Sequence, residues 1–288
     1  MSNSFEMAQK ELWAKRNQKG VLIGAHRGTS GGSIIQNTIP AYMNALRHGA
    51  DVVEVDAAMT TDGDFFAFHD GAEEEVFHFK KNIRTMSTAE ALSYPVYNAL
   101  WQPMETVKIN RLDDVLEALK GKCLINIDRT WFYWEEIIRC LNRHNMFDQL
   151  ILKAHVDEQL LAVLEELGPK LMYMPIVKNQ TDYRPEMETV WRHKVNVMAA
   201  EIIMVEPSSE AASRAIIEEL HKRGSMAWIN TLTLHDKVTL SMWRDDNKAV
   251  IDGPDEVWGW LMDLGFDIIQ TDWPALLRDY LGTRRANG

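Results

Sequence analysis

Residues 51–68 read DVVEVDAAMTTDGDFFAF, and the fold turns on how many strands they hold and in which directions those strands run. The first seven are apolar and β-branched with acidic residues interleaved, and the run that begins at Phe65 is a second strand. Only Met59 to Asp64 lie between them. A parallel crossover needs a dozen residues or so, whereas Asp62-Gly63 is a hairpin turn signal, so the two strands are antiparallel. Outward from this hairpin, strand-like runs begin at Val21, Asp51, Phe65, Cys123, Leu150, Leu171, Glu201, Met226 and Asp267. Setting the hairpin strand at Phe65 aside leaves eight, each followed by a helical stretch: 38–48, 112–120, 132–145, 157–167, 185–197, 209–223, 254–264 and 273–281. Strict alternation of eight strands with eight helices predicts an α/β fold of one kind, a single closed (β/α)8 TIM barrel with a small insertion after the second strand.

The domain reading follows. Residues 1–20 form an N-terminal helical extension that closes the bottom of the barrel, residues 21–288 are the barrel, and the insertion covers about 60–111. A long loop, 231–253, follows the seventh strand on the face where barrels carry their chemistry, the usual place for a lid or substrate wall. The 288 residues carry a net charge of −11, with 46% hydrophobic and 25% charged residues. That is ordinary globular composition and excludes disorder, collagen-like repeats and coiled coil. An acidic chain without a Lys/Arg cluster argues against a nucleic-acid partner. Cys123 and Cys140 are too few for a disulfide framework and read as plain buried thiols. No export signal and no apolar run of transmembrane length is present, so the expected setting is cytoplasmic, with no stable membrane insertion. Oligomeric state is not legible.

Chemistry in such a barrel sits at the carboxyl ends of the strands, and inward residues recur at every second position. In Val53-Glu54-Val55-Asp56 both carboxylates then point into the mouth, where a hard divalent cation relieves their repulsion; pairing with Lys or Arg is the competing reading. His26-Arg27-Gly28 closes the first strand and His69-Asp70 closes the hairpin strand. These two histidines, beside a carboxylate pair, are candidate proton carriers. His48, His144, His193 and His221 look like exposed helical residues, and His78 and His235 sit in loops without a partner in sequence. Asp128 ends the third strand and either completes a three-carboxylate site or caps the next helix. Lys153 ends the fourth strand, and its burial calls for a negative partner, either a substrate phosphate or a site carboxylate. Trp131, Trp228 and Asn230 are candidate substrate-wall residues, with core packing as the alternative for the aromatics.

Read in order, Ala25-His26-Arg27-Gly28, Gln36-Asn37-Thr38, Gly49 to Asp56, Thr60-Thr61-Asp62-Gly63 and His69-Asp70 resemble the opening signature of the glycerophosphodiester phosphodiesterases. Ile109 to Leu116 and Gly265 to Pro274 resemble later parts of the same family. The resemblance implies a metal-dependent barrel phosphodiesterase that releases glycerol 3-phosphate and an alcohol. Glu54, Asp56 and Asp128 would bind one divalent cation, Mg2+ or Ca2+, and His26 and His69 would be the acid and base pair, with His26 read as the base. Arg27 would contact the phosphate; that Lys153 supplies a further cation there is read from its position and is not part of the resemblance. Three positions depart from the pattern. Asp128 and Thr130 stand where the family has Glu-x-Lys, and Gln36 replaces a Glu. Rival readings are a related phosphodiesterase or phosphotransferase acting on lysophospholipid or sugar phosphodiesters, and a degenerate barrel that binds a phosphorylated ligand without turnover. The expected partner is a small-molecule phosphodiester.

Overall fold

The structure is a computed structural model that describes residues 3–178, 183–235 and 237–287. Eight parallel strands form a closed ring: Leu22–Ala25, Val52–Met59, Leu124–Asp128, Leu150–His155, Met172–Lys178, Ala199–Ile203, Met226–Asn230 and Ile268–Thr271. They are called the first to eighth barrel strands below. The ring closes where the first strand pairs with both the second (Gly24 opposite Val52) and the eighth (Leu22 opposite Ile268). The short strand Phe65–Ala67 runs antiparallel to the second, with Ala57 opposite Ala67. Its turn is the one read from Asp62-Gly63: Gly63 sits at φ 85° and donates to the Thr60 carbonyl at 3.0 Å.

The alternation expected along the second strand is realised. Val53 and Val55 face outward into the apolar layer beneath the helices, with Leu116, Ile127 and Ile137. The lower interior is filled by Leu22, Val52, Leu124, Ile151, Met172, Met226 and Ile268. Above them Trp228 has no solvent exposure, and Gly24 makes room for it, since a Cβ there would meet the indole at 3.2 Å. The helix Asn3–Lys19 lies under this layer, with Phe5, Ala8 and Leu12 packed into it. Lys15 and Lys19 each reach Asp51 at 2.7 Å, and Arg16 reaches Asp267 at 2.8 Å. Both aspartates also accept strand backbone N–H groups, Asp51 from Ile23 and Asp267 from Ala227. They tie neighbouring strands together where the helix docks.

The last helix, expected to end at 281, runs to Asn287, and two boundaries near residue 197 differ from the sequence reading. The helix expected to run to 197 ends at Arg192, and Asn196–Val197 is a two-residue strand beside the fifth. Asn196 donates to the Pro169 carbonyl at 2.9 Å and Val197 is buried, so extended pairing wins over helical continuation. For the same reason the sixth strand starts at Ala199 rather than Glu201. The segment between the second strand and the helix Leu112–Leu119 holds the hairpin strand, helices Glu73–Phe77 and Thr88–Ser93, and a small hairpin of Val96–Tyr97 with Pro103–Met104. It gathers its own apolar cluster, including Phe66, Phe68, Phe77, Ile83 and Met86.

Candidate active site

Register places the carboxylates. The second strand pairs with the third so that Glu54 stands opposite Asn126 and Asp56 opposite Asp128. Glu54, Asp56 and Asp128 each bring a carboxylate oxygen within 4.8 Å of the others. Lys153 enters from the fourth strand, 2.7 Å from Asp128 Oδ2, 3.0 Å from Glu201 Oε2 and 3.3 Å from Glu54 Oε1. The three N–H bonds of its ammonium thus each face a carboxylate. This corrects the expectation that Lys153 is free for substrate phosphate: it is a structural counter-ion. Burial, reinforced by Glu54, Asp56 and Glu201, pushes Asp128 up to about 7 although Lys153 opposes it. Glu54 is also penalised by burial, but Lys153, His26 and Arg27 outweigh that and hold its carboxyl well below the usual range. Glu54 Oε2 and both polar atoms of Asn126 are buried without a hydrogen-bond partner. An all-oxygen donor set with an orphaned carboxylate oxygen, crowded enough to drive one member toward protonation, fits a hard divalent cation.

The first strand delivers His26. Its Nδ1 lies 2.9 Å from Asp272 Oδ1 and its Nε2 faces Glu54 Oε2 at 3.7 Å. Burial works against the imidazolium, but Glu54 and Asp272 together prevail and the His26 pKa is raised. Arg27 and Asn37 both adopt left-handed backbone, φ 52° and 54°, conformations that cost non-glycine residues about 1–2 kcal/mol. Hydrogen bonds hold them. Arg27 reaches Asp56 Oδ2 at 3.1 Å and donates to Gln36 Oε1 at 2.8 Å. Asn37 donates to Asp56 Oδ2 at 2.8 Å and accepts from the Tyr42 hydroxyl at 2.8 Å. Gly28 lets this turn approach the next helix: at φ 78°, a Cβ would lie 2.7 Å from the Ala41 carbonyl carbon. Gly28→Ala is therefore expected to lower unfolding free energy by about 1–3 kcal/mol in a urea titration.

His69 follows the hairpin strand. Burial lowers its pKa, with Arg27 and Arg129 adding to the effect and Asp56 opposing it. The two histidines are thus biased in opposite directions. Next to His69, Asp70 accepts from Arg129 Nε at 2.6 Å and lies 3.4 Å from Arg84 NH1. The aromatic run after Asp128 splits. Tyr133 and Trp134 are buried and donate to the carbonyls of Ala57 and Leu160, whereas Trp131 is partly buried and Phe132 is 49% exposed. Trp228 is corrected as well. Fully enclosed, it donates to Asn230 Oδ1 at 2.7 Å and Gln270 Oε1 at 3.1 Å, and it supports the site from below instead of walling it.

Glu201, Asp272 and Arg129 were not singled out from the sequence. A lone carboxylate in the apolar run Ala199–Ile203, and an acid just past the end of the eighth strand, were the available signals for the first two. Several histidines read as exposed are hydrogen-bonded to carboxylates: His144 to Asp113 at 2.7 Å, His193 to Glu165 at 3.0 Å and His221 to Asp267 at 2.7 Å. Asp113, Cys140 and His144 also cluster on the helical ring, away from the mouth.

The long loop after the seventh strand is pinned at Asp246. Its carboxylate accepts from Thr231 and Thr271 hydroxyls at 2.6 and 2.8 Å and from the Asp272 N–H at 2.8 Å. Asp272 in turn meets His26, so the loop anchor positions a candidate catalytic group. Burial raises Asp246 to about 7 despite these hydrogen bonds. Its folded value lies above its unfolded one. Its contribution to stability is therefore complete below about pH 4 and lost as pH rises through about 7. Thermal midpoints measured from pH 4 to 8 should show this component in wild type and not in Asp246→Asn.

The structure thus defines a closed (β/α)8 barrel with a carboxylate and histidine cluster at the carboxyl ends of its strands. Solved structures share that fold. A glycerophosphoryl diester phosphodiesterase from Parabacteroides distasonis superimposes with a TM-score of 0.73 at 20% identity, covering 92% of this chain and 87% of that one. A phosphodiesterase from Oleispira antarctica, in complex with the product sn-glycerol-3-phosphate, gives 0.65 at 16% identity, covering 93% and 99%. In sequence, an uncharacterized Bacillus subtilis protein, YqiK, is 29% identical over 156 residues, 52% of this chain and 63% of its own length. A glycerophosphodiester phosphodiesterase of Bacillus altitudinis is 25% identical over 172 residues, 57% of this chain and 69% of its own. A family model described as a domain of unknown function matches residues 173–281. The resemblance to glycerophosphodiester phosphodiesterases read from the sequence is borne out by these relatives in both sequence and fold. The match to the Bacillus subtilis protein covers less than two thirds of that protein.

Proposed function

We propose that this protein hydrolyses glycerophosphodiesters to glycerol 3-phosphate and an alcohol in a reaction that depends on one divalent cation, Mg2+ or Ca2+. The observation that carries the reading is the meeting of Glu54, Asp56 and Asp128 with two oppositely biased histidines at one barrel mouth. A cation held by the three carboxylates would supply Lewis acidity and neutralise charge at the phosphoryl oxygens. Arg27, beside Asp56, would orient the phosphate. His69, biased toward its neutral form by burial, suits removal of a proton from water or from the adjacent glycerol hydroxyl. His26, biased toward the imidazolium by Glu54 and Asp272, suits donation to the leaving alkoxide. This reverses the sequence expectation that His26 is the base, because the sequence did not show the Asp272 contact. Lys153 keeps the inner carboxylates compatible with burial and has no role at the phosphate.

A lysophospholipid is the second reading for the substrate, favoured by exposed Leu234, Val238 and Trp243 on the 231–253 loop. Among the described residues no helix is long and apolar enough to cross a membrane.

The test is glycerol 3-phosphate release from a diester panel, with lysophospholipids included, after EDTA and then with Mg2+, Ca2+ or Mn2+ restored. Release lost with chelator and regained with metal supports the proposal. Metal-independent release, or none from any diester, overturns it.

A further inference from the structure

A second group of metal-ligating side chains lies on the helical ring, away from the barrel mouth. The helix Trp134–His144 carries Cys140 and His144 four positions apart, the spacing that sets two side chains one above the other on one helix face. The helix Leu112–Leu119 shares its apolar layer, Val115 and Leu116 with Ile137 and Leu141, and carries Asp113 in its first turn. One atom joins the three. Asp113 Oδ1 lies 2.7 Å from His144 Nε2 and accepts from the Cys140 thiol at 3.7 Å. The ligand atoms of all three fall within 4.8 Å of one another.

Helix dipoles account for part of this arrangement. An acid in the first turn of one helix and a histidine in the last turn of the other are each favoured there, and a hydrogen bond between them needs no metal. The thiol on the same oxygen is left over. Cys, His and Asp also combine as a nucleophilic triad, but there the imidazole stands between thiol and carboxylate. Here the carboxylate oxygen is the shared atom. Burial and Asp113 also push the thiol up to about 11, against Arg143, so it is no ready nucleophile.

A cation reverses that balance, because it takes the place of the protons held between the three groups and deprotonates a coordinating thiol outright. Tetrahedral zinc bonds of about 2.0–2.3 Å set their ligand atoms roughly 3.3–3.7 Å apart. The separation of Cys140 Sγ from Asp113 Oδ1 already matches, and the pair of Asp113 with His144 needs to open by only about half an ångström. Cys140 is 3% exposed, whereas the Asp113 side chain is 59% exposed. The thiol therefore closes the inner side, and the outer side leaves a coordination position to water.

We propose that Asp113, Cys140 and His144 bind one divalent cation of zinc's class, at a site chemically distinct from the all-oxygen set at the mouth. Thiolate and imidazole select Zn2+, Co2+ or Cd2+ over Mg2+ and Ca2+. The cation ties together the helices on either side of the third barrel strand in the chain and takes no part in the reaction. The proposal stands apart from the phosphodiesterase reading.

The test titrates Co2+ into the full, reduced chain in excess Mg2+ and reads the near-ultraviolet charge-transfer band of cobalt bound to thiolate. The chain has two cysteines and neither is at the mouth, so cobalt bound among the mouth carboxylates is silent in this band. The band should saturate at one equivalent, resist Mg2+ and vanish when Zn2+ is added. Cys140→Ser should abolish it and Cys123→Ser should keep it. Because a serine at the buried position could cost folding, His144→Ala is the second variant. It leaves the thiol in place and should weaken Co2+ binding by at least the roughly 10- to 100-fold that losing even an outer supporting group costs. No band in wild type overturns the proposal. So does a band that survives Cys140→Ser, one that Cys123→Ser removes, or a Co2+ affinity unchanged in His144→Ala.

Discussion

Replacing His69 by alanine is expected to lower kcat on a glycerophosphodiester by about 100- to 10,000-fold, the range that a positioned proton carrier contributes. KM should move far less, since His69 is not among the groups that hold the phosphate. His26→Ala should fall in the same range, and the two variants should differ in their pH profiles. Loss of the base removes the acidic limb of the rate profile, and loss of the acid removes the basic limb. His144→Ala is the control: it breaks only a pair with Asp113 on the helical ring, and turnover should be unaffected. Near-wild-type turnover in either His26→Ala or His69→Ala would falsify that residue's assignment.

The second large effect is on stability. Lys153→Met removes the cation shared by Glu54, Asp128 and Glu201 while keeping most of the side-chain volume. Three carboxylates then face one another in a buried space, and losing one partner of such a network costs about 3–5 kcal/mol. Urea titration in the presence of EDTA should show that loss. Added Mg2+ or Ca2+ should recover part of it, since a bound cation stabilises the folded state by mass action. A loss under about 1 kcal/mol would mean that the carboxylates need no counter-ion, and the charge argument for the site would fail with it.

The barrel was legible because its signal is local. Residues 51–68 carry both the strand period and the turn, and that hairpin decides the strand count. The inward pair Glu54 and Asp56 was legible for the same reason: parity along a strand fixes the face. Parity does not fix depth. Trp228 and Asn230 share a face, yet the indole lies beneath the site with no exposure, because Gly24 on the first strand leaves the space. Nor does it fix partners between strands. Lys153 could equally have met phosphate or carboxylate until the fold set it 2.7 Å from Asp128. His26 and Asp272 are 246 positions apart in the chain, and only closure of the barrel brings them together. Arg129 was hidden differently. By simple alternation it points away from the mouth, and the left-handed turn at this residue reverses that.

The helix Asn3–Lys19 is the first described segment of the chain, and its partners are spread over almost the whole length. Trp13 donates to the Gly224 carbonyl, 211 positions away, and Arg16 pairs with Asp267 at the start of the last strand. Alone it is a marginal helix, and the layer it seals does not exist until the eighth strand is in place. A segment that precedes the barrel in the chain is therefore among the last to settle. In refolding, its amides should gain protection from exchange after those of the inner strands, so that ring closure and not helix formation sets the pace of the final step.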